Sequence, residues 1–417
     1  MKSHYDIVIA GGGMVGTSLA LALAHVFEGG LDILVLEKIP LPAVGASSYQ
    51  PSFDARSTAL AAGSREIYAG LGIWDKLAAQ VCPIESIHVS TRGRPGSTLM
   101  RAADESMPAL GYVVENQWLG RVLLERVQRY PRLDWLAPAS VREVGMLDEG
   151  GCRVELEYRG GSCEARCELL VIADGAYSPL AGSLGIAYRQ NDYRHQAIIA
   201  NVSSAKPHNG RAFERFTDQG PMALLPLKAS GGRSHSALVW TMPDALAASI
   251  SGLDDEAFLE QLQQRFGYRL GAFTRLGERH SYPLQLVEAL EQVRTGVVVM
   301  GNAAHFLHPV AGQGFNLALR DVAHLVEVLQ RARAAGSRLG GLSVLQSYQQ
   351  AQAWDQRATT LFSDRVSDVF TWSQPLVGVA RDVGLSALDV VLPAKSWFLR
   401  QAAGLGGSAV SWSRGEY

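Results

Sequence analysis

The stretch Tyr5-Asp6-Ile7-Val8-Ile9-Ala10-Gly11-Gly12-Gly13-Met14-Val15-Gly16 decides the fold of this chain. Its first half is a short apolar, β-branched run that is typical of a strand, and its second half carries glycines in the pattern G-x-G-x-x-G. Apolar residues then recur at helical spacing up to Val26, and a second apolar run, Ile33–Leu36, ends at Glu37. The order strand, glycine turn, helix, strand, acid predicts a βαβ unit that binds an adenine dinucleotide.

Each glycine of the turn has its own expected task. Gly11 permits a tight turn, Gly13 lets the backbone approach a pyrophosphate, and Gly16 lets the helix lie close to the strand. The helix N-terminus offers amide donors and a positive dipole end to the phosphates. Glu37 follows at the position where a carboxylate accepts hydrogen bonds from ribose hydroxyls. The alternative is a glycine-rich turn in another kind of βαβ unit.

The composition indicates an ordinary globular protein of more than one domain. The chain has 417 residues, of which 47% are hydrophobic and 19% are charged, and its net charge of −2 gives no indication of a nucleic-acid partner. The first strand begins so early that we expect no signal peptide, and no apolar run approaches the length of a transmembrane helix. With only four cysteines, the sequence predicts a cytoplasmic protein without a disulfide framework.

One arginine, Arg56, is a candidate cofactor ligand from the sequence alone. The segment Phe53–Leu60 is expected to end a loop and open a helix that runs to about Leu71. Arg56, within this segment, suits either a surface cation or a phosphate or flavin ligand. A further helix, roughly Trp118–Tyr130, carries Arg121 away from its apolar face.

A second candidate position lies at the end of a buried strand. The continuous apolar run Leu169–Ala173 predicts that strand, and Asp174-Gly175 ends it. An acid at the carboxyl end of a parallel strand points into the ligand crevice of an open α/β sheet, whereas the alternative is a helix N-cap. Cys163 and Cys167 just upstream have a spacing that could suit a metal, but no second pair completes such a site, so a structural role is expected.

A third block lies near the C-terminal end of the predicted fold. The buried strand Gly296–Met300 leads into the loop Gly301–Asn316, and a helix is expected from near Leu317 to a break near Gly336. A Pro/Gly-rich loop that leads into a helix N-terminus stabilises anions. The loop lacks the lysine signature of a Walker loop.

Residues 186–280 have a different sequence pattern, in which apolar strands alternate with turns rich in Gly, Ser, Pro and Arg. One amphipathic helix is expected within this segment, at Asp254–Phe266. This pattern predicts a mostly antiparallel sheet. The expected division is 1–75, 113–185 and 281–340 for the dinucleotide-binding domain, 76–112 and 186–280 for the substrate domain, and 341–417 for a helical extension.

Together, the three blocks resemble the single-component FAD monooxygenases of the para-hydroxybenzoate hydroxylase type. They span residues 5–321, about three quarters of the chain. Two departures, Asn302 in place of the usual aspartate and Pro179-Leu180-Ala181 after Ser178, look like the ubiquinone-biosynthesis branch of that family. The resemblance implies an α/β fold: a Rossmann-like FAD-binding domain, an inserted mostly antiparallel β-sheet substrate domain and C-terminal helices.

The resemblance also implies the positions that contact FAD. They are Gly11, Gly13, Gly16, Glu37, Arg56, Arg121, Asp174, Asn302, Gly312, Gln313, Gly314, Phe315 and Asn316. Backbone amides of the last five would face the N1–O2 edge of the flavin, where reduced flavin is anionic, and Asp174 would also assist NAD(P)H. His305 and His308 are candidates for the base that ionises a phenol, with packing histidines as the alternative.

The implied reaction is hydroxylation of a polyprenylated phenol of the 2-polyprenyl-6-methoxyphenol type through a flavin hydroperoxide formed from NAD(P)H and O2. A single dinucleotide fingerprint fits this family, which binds NAD(P)H transiently. The open alternatives are a related hydroxylase acting at another ring position or on another aromatic, a flavin-dependent prenyl reductase, and a scaffold that keeps FAD only for structure.

The tail is expected to form helices at Val344–Val369, Pro375–Leu392 and Trp397–Ala403. Around Trp397, aromatic residues stand beside cations, a pattern that suits peripheral contact with the inner-membrane surface. The resemblance implies other ubiquinone-biosynthesis proteins as candidate partners. The alternative is a helix packed on the FAD-binding domain or in a subunit interface.

Overall fold

A computed structural model of the chain describes residues 1–41, 56–94, 97–148, 150–230, 233–306 and 313–371. The strands are β1 (His4–Ala10), β2 (Ile33–Leu36), β3 (Ser57–Ala61), β4 (Cys82–Ile84), β5 (Ser86–Thr91), β6 (Ser97–Arg101), β7 (Gly111–Glu115), β8 (Leu133–Leu136), β9 (Ala139–Met146), β10 (Cys152–Tyr158), β11 (Gly161–Ile172), β12 (Tyr188–Ser204), β13 (Arg211–Thr217), β14 (Gly220–Ser230), β15 (Arg233–Pro243), β16 (Phe273–Leu276), β17 (His280–Ala289), β18 (Val293–Arg294), β19 (Val297–Val299) and β20 (His305–Phe306). The helices are α1 (Met14–Val26), α2 (Ala62–Gly70), α3 (Trp74–Ala78), α4 (Asn116–Val127), α5 (Pro179–Ser183), α6 (Asp244–Ser251), α7 (Asp255–Phe266), α8 (Gln313–Ala334) and α9 (Leu342–Thr371), with 3₁₀ turns at Ala102–Glu105 and Gly301–Ala303.

The first sheet is the predicted dinucleotide-binding sheet. Its order is β18-β19-β11-β1-β2-β8, and β19, β11, β1, β2 and β8 run parallel to one another. Helices α1, α4 and α8 pack on one face through a continuous apolar core. The strands β9 and β10 extend β11 as an antiparallel ribbon that covers the other face. Both faces are thus buried, as the continuous apolar strands predict.

The second sheet has nine strands and is mostly antiparallel, as predicted. Its order is β20-β17-β12-β15-β14-β13-β5-β6, and β16 pairs with β12. Helices α6 and α7 pack on its outer face. Its inner face is turned toward the FAD-binding domain, because Leu286 of β17 packs against Leu317 of α8. The sheet extends to Ala289, beyond the predicted domain boundary at residue 280.

The predicted start of the helix within Phe53–Leu60 is wrong. Ser57–Ala61 is the strand β3, which pairs antiparallel with β7 in a three-stranded sheet completed by β4. Helix α2 begins only at Ala62. The strand forms because β7 satisfies its backbone groups, a pairing between segments about fifty residues apart that local propensity does not reveal.

The other predicted helices agree more closely. The Asp254 carboxylate caps α7 by accepting a hydrogen bond from the Ala257 amide at 2.8 Å. Helix α8 begins at Gln313, earlier than the predicted start near Leu317, and Gly336 follows its end with a φ of +67°. Helix α9 spans the first predicted tail helix, whereas the other two lie outside the described residues. Within the described part of the chain, no helix is long and apolar enough to cross a membrane.

Candidate FAD-binding site

The glycine turn between β1 and α1 has the close approaches that its pattern predicts. Gly11 has a φ of +111°, and a Cβ on it would lie 2.3 Å from the Ala173 carbonyl oxygen. A Cβ on Gly16 would lie 1.9 Å from the Gly11 carbonyl oxygen. Both positions therefore exclude any side chain, because backbone atoms cannot move aside without opening the sheet.

Gly13 is different, because a Cβ there would meet no atom of the described residues within 4 Å. This residue is the N-cap of α1, and no side chain caps the helix. The first turn of α1 thus directs backbone donors and the positive end of the helix dipole into open space. A pyrophosphate fits this space chemically, since it supplies the acceptors and the negative charge that the helix end lacks.

Glu37 stabilises the glycine turn through hydrogen bonds to backbone amides. Its buried carboxylate accepts hydrogen bonds from the amides of Gly12 at 2.8 Å and Ile39 at 2.9 Å, one on each oxygen. The Trp135 ring of β8 lies beside them, since a Cβ on Gly12 would lie 2.6 Å from it. The buried indole N–H of Trp135 has no partner among the described residues. An adenosine ligand fits here, because it would give that donor an acceptor and Glu37 a ribose hydroxyl donor.

Asp174 lies beside the glycine turn, in the crevice at the carboxyl ends of the parallel strands, which is called the cleft below. Its Cα would lie 2.8 Å from a Cβ on Gly11, and its carboxylate accepts a hydrogen bond from the Ser178 hydroxyl at 2.9 Å. Ser178 and not Asp174 caps α5, by accepting from the Ala181 amide. Desolvation by the walls of the cleft raises the pKa of Asp174, and the Ser178 hydrogen bond opposes that shift. The geometry therefore favours the crevice interpretation over the N-cap interpretation.

Asn302 follows β19, the strand that pairs with β11 in the same sheet. It is an exposed residue in the 3₁₀ turn Gly301–Ala303 that follows β19. A Cβ on Gly301 would lie 3.1 Å from a methyl group of Val15, so this turn packs directly on the first turn of α1. The fold thus brings Asn302, Asp174 and the glycine turn to one edge of the sheet.

The two arginines occupy different surroundings. The Arg56 guanidinium lies over the Tyr282 ring of β17, 4.7 Å from its centroid, a cation–π contact. The Arg56 carbonyl accepts from the Asn116 amide at the start of α4. Arg56 therefore contacts both the nine-stranded sheet and the start of α4, while Arg121 is exposed on α4. Contact of either residue with FAD remains a prediction.

Asn316 has a role that its position in the loop motif does not reveal. Its buried side-chain oxygen accepts from the Ala61 amide at 2.8 Å and the Ser64 hydroxyl at 2.7 Å, and its nitrogen donates to the Ala59 carbonyl at 2.8 Å. The amide thereby fastens the start of α8 to β3 and α2. The only sequence signal is a polar residue beside the apolar Phe315 and Leu317.

The remaining loop positions are described only in part. Gly314 lies in the first turn of α8, and Phe315 packs partly buried against the main core. His308, Gly312 and the Gln313 side chain lie outside the described residues, so their predicted roles stay predictions.

Replacing Asn316 by leucine is expected to destabilise the protein and weaken FAD binding together. Leucine has a similar volume but leaves the amide, hydroxyl and carbonyl partners unpaired, at about 1–3 kcal/mol for each buried group. Chemical denaturation and flavin fluorescence titration measure the two effects. Asn191→Leu, at an exposed position of β12, is the control. Unchanged stability and FAD affinity in Asn316→Leu would contradict the fastening role.

His305 is buried, and its Nε2 lies 2.7 Å from an oxygen of Asp321 in α8. Burial alone lowers the pKa of His305, but the charge of Asp321 and the hydrogen bond to it outweigh burial, so the net shift of the pKa is upward. Its Nδ1 has no partner among the described residues. This sealed environment favours the packing interpretation, and a role as base remains a prediction.

Comparison with known proteins agrees with this geometry. Residues 4–359 match the family described as FAD binding domain. The chain is 35% identical over 399 residues to the ubiquinone hydroxylase UbiL of Rhodospirillum rubrum, covering 96% of this chain and 89% of that protein. It is 32% identical over 401 residues to the 3-demethoxyubiquinol 3-hydroxylase of Escherichia coli, covering 96% and 98% respectively.

A solved structure shows the same fold at low identity. The p-nitrophenol 4-monooxygenase PnpA of Pseudomonas putida superposes with a TM-score of 0.77 at 18% identity, over 98% of this chain and 100% of that one. The family match shows an FAD cofactor, with NAD(P)H as the co-substrate typical of this family. The chain belongs to the FAD-binding-domain family of aromatic-ring monooxygenases, in the branch that contains the ubiquinone-biosynthesis hydroxylases.

Proposed function

We propose that this protein hydroxylates the ring of a polyprenylated phenol of the 2-polyprenyl-6-methoxyphenol type during ubiquinone synthesis. The observation that carries the proposal is the inner face of the nine-stranded sheet. Its half-buried Ile199, Ala223, Leu225 and Val239 form an apolar wall turned toward the FAD-binding domain. Such a wall suits an aromatic ring with a hydrocarbon chain, and the named activities of the relatives support the same substrate class.

Each part of the site has an expected task. Bound FAD would supply the redox chemistry, taking a hydride from NAD(P)H and passing one oxygen atom of O2 to the ring. The α1 N-terminus would hold the pyrophosphate, and Glu37 the ribose. The two sheets would enclose the ring and exclude water.

The chemistry of the proposed substrate also predicts where the protein meets it. A polyprenylated phenol partitions into lipid, so we expect the protein to meet it at a membrane surface. The residues around Trp397 predicted to make that contact lie outside the described part of the chain.

Mass spectrometry of quinone lipids tests the proposal, using air-grown cells from which the gene has been deleted. A polyprenylated phenol or methoxyphenol that lacks one hydroxyl group is expected to accumulate, and its substitution pattern names the ring position. An unchanged quinone profile would withdraw the substrate assignment in favour of another aromatic.

Purified protein separates the remaining alternatives. Incubation with NAD(P)H and ¹⁸O₂ is expected to add one labelled oxygen atom to the phenol. A hydrogenated prenyl chain formed without oxygen would instead indicate a prenyl reductase. Cells whose only copy of the gene encodes a variant that binds no flavin are the last test. Normal ubiquinone levels in those cells would indicate a scaffold.

A further inference from the structure

A glutamate stands in the wall that faces the FAD-binding domain. Glu214 lies in the middle of β13, between β14 and β5. Its direct cross-strand neighbours are Ala223 and Val89, and both are apolar. The next residue in the same row, beyond Ala223, is Val239 of β15. Glu214 is therefore an acidic residue with apolar neighbours on both sides of its row, Val89 on one side and Ala223, Val239 and Ile199 on the other.

The neighbours of Glu214 along β13 fix the direction in which its side chain points. The Phe213 ring packs edge-on against Phe266 of α7, with centroids 5.4 Å apart. The Arg215 guanidinium donates to the Arg265 carbonyl of α7 at 3.0 Å. Both belong to the outer face, which α6 and α7 cover. Since side chains alternate along a strand, Glu214 points to the inner face.

The inner face is the face that meets the FAD-binding domain. The row that starts at Glu214 continues through Val239 to Ile199 and then to His280 of β17. Tyr282, two residues further along β17, carries the Arg56 guanidinium. At the other end, Ala212 and Leu225 pack with β4 and β7 of the three-stranded sheet. Glu214 thus lies on the inner face, between the contact of Tyr282 with Arg56 and the packing of Ala212 and Leu225 on the three-stranded sheet.

No described residue neutralises Glu214. Its half-buried carboxyl group makes no hydrogen bond or ion pair within the described part of the chain, and desolvation alone raises its pKa to about 8. The nearby basic residues His88 and Arg215 lie on the outer face, where His88 packs on Phe213. His280 and Tyr282 share the inner face but stand four strands away, roughly 19 Å at about 4.8 Å per strand.

An unpaired, desolvated carboxyl group is costly, and a sheet position between valine and alanine would be more stable with an apolar side chain. Such groups cluster where a ligand supplies the missing partner. The ligand that fits must be apolar over most of its surface and carry one hydrogen-bond donor. A phenol with a hydrocarbon chain has this chemistry.

We propose that Glu214 accepts the hydrogen bond and then the proton of the substrate's phenolic hydroxyl group. In this step the phenolic O–H bond breaks, the proton adds to a carboxylate oxygen, and the electron pair stays on the phenolate oxygen. The phenolate is richer in electrons than the phenol, so the ring attacks the incoming oxygen atom faster. The inference rests on the proposed function, since it requires a phenolic substrate.

A base of this kind suits the reaction. A carboxyl group whose pKa lies near the working pH is ionised often enough to act and basic enough to take a proton. The apolar row around it limits competing hydrogen bonds from water. Neither His305, which is bonded to Asp321, nor any described side chain on the neighbouring strand positions offers the same combination.

The test compares Glu214→Gln with Glu260→Gln, which changes an exposed glutamate on the outer helix α7. Glutamine keeps the shape but accepts no proton, so Glu214→Gln is expected to hydroxylate the phenol at least about 100-fold more slowly. FAD binding is expected to stay unchanged, and NAD(P)H is expected to be consumed without matching product. Glu260→Gln is expected to behave as the wild type.

The pH profile adds a readout that a structural role would not move. In the wild type, kcat/KM is expected to rise with pH through a midpoint near 8, because the carboxylate is the active form. Glu214→Gln is expected to lose this rising limb, and Glu214→Asp to keep it at a lower rate. A Glu214→Gln protein with wild-type hydroxylation or an unchanged limb would overturn the inference while the function stands. A wild type that hydroxylates no phenol would overturn both.

Discussion

The Gly13→Val variant is expected to fold normally and to purify without FAD. A Cβ at this position meets no atom of the described residues within 4 Å, so we expect the βαβ unit to close as before. The same side chain fills the space in which the pyrophosphate would approach the α1 amides. Loss of two charge-assisted hydrogen bonds, at about 1.5–3 kcal/mol each, lowers FAD affinity at least about 100-fold. Flavin absorbance of the purified protein and its thermal unfolding measure the two properties separately.

Gly16→Val is the matched comparison, because the substitution is the same and only the surroundings differ. A Cβ on Gly16 would lie 1.9 Å from the Gly11 carbonyl oxygen, so α1 must move off the sheet. We expect this variant to lose stability and flavin together. A Gly13→Val protein that retains flavin would show that the pyrophosphate lies elsewhere, and one that unfolds like Gly16→Val would show that the space is not free for a ligand.

The dinucleotide turn could be predicted because its determinants are local. The strand, the glycine spacing and Glu37 all lie within 37 residues, and each glycine answers to a steric requirement a few residues away. The partners of Asp174 and Asn302 are distant, but each residue directly follows a buried strand of the same parallel sheet. Since the carboxyl ends of such strands share one edge, the sequence also indicates that these residues lie at the same edge of the sheet.

Other features depend on pairings that the sequence does not display. Ser57–Ala61 is a strand only because β7 lies beside it, and Asn316 acts on that strand from more than 250 residues away. In the sequence, Glu214 is only one of several polar residues in the segment Arg211–Thr217. Its desolvation arises from the neighbours that β5 and β14 place beside it, and from the domain that covers the inner face.

The wild-type protein is expected to lose stability as the pH rises from about 6.5. The folded state raises the pKa of His305 above its ordinary value, because Asp321 favours the charged ring. A group whose pKa is raised on folding stabilises the protein fully below its unfolded pKa, near 6.5, and loses that contribution as the pH rises through the folded pKa. The slope from this residue is at most about 1.4 kcal/mol per pH unit. Urea unfolding between pH 6 and pH 9 measures it.

Asp321→Asn is expected to reverse the sign of this contribution. Without the carboxylate, burial is the main influence on the ring, and burial lowers the pKa of a histidine. The charged form is then unfavourable in the folded state, so the contribution of His305 to stability falls as the pH decreases. Breaking a buried pair typically costs about 3–5 kcal/mol, and the loss is expected to be largest at pH 6, where the wild-type ring is charged.

Glu327→Gln is the control, because it breaks the exposed Arg331–Glu327 pair on the same helix. Exposed pairs of this spacing contribute about 0.3–0.5 kcal/mol, so its pH dependence is expected to follow the wild type. An Asp321→Asn profile parallel to the wild type would mean that His305 is neutral throughout. In that case Asp321 would act only as a hydrogen-bond acceptor for a neutral ring. The pH dependence of stability therefore tests the base interpretation of His305 without a substrate, because a histidine held charged by a buried carboxylate cannot accept the proton of a phenol.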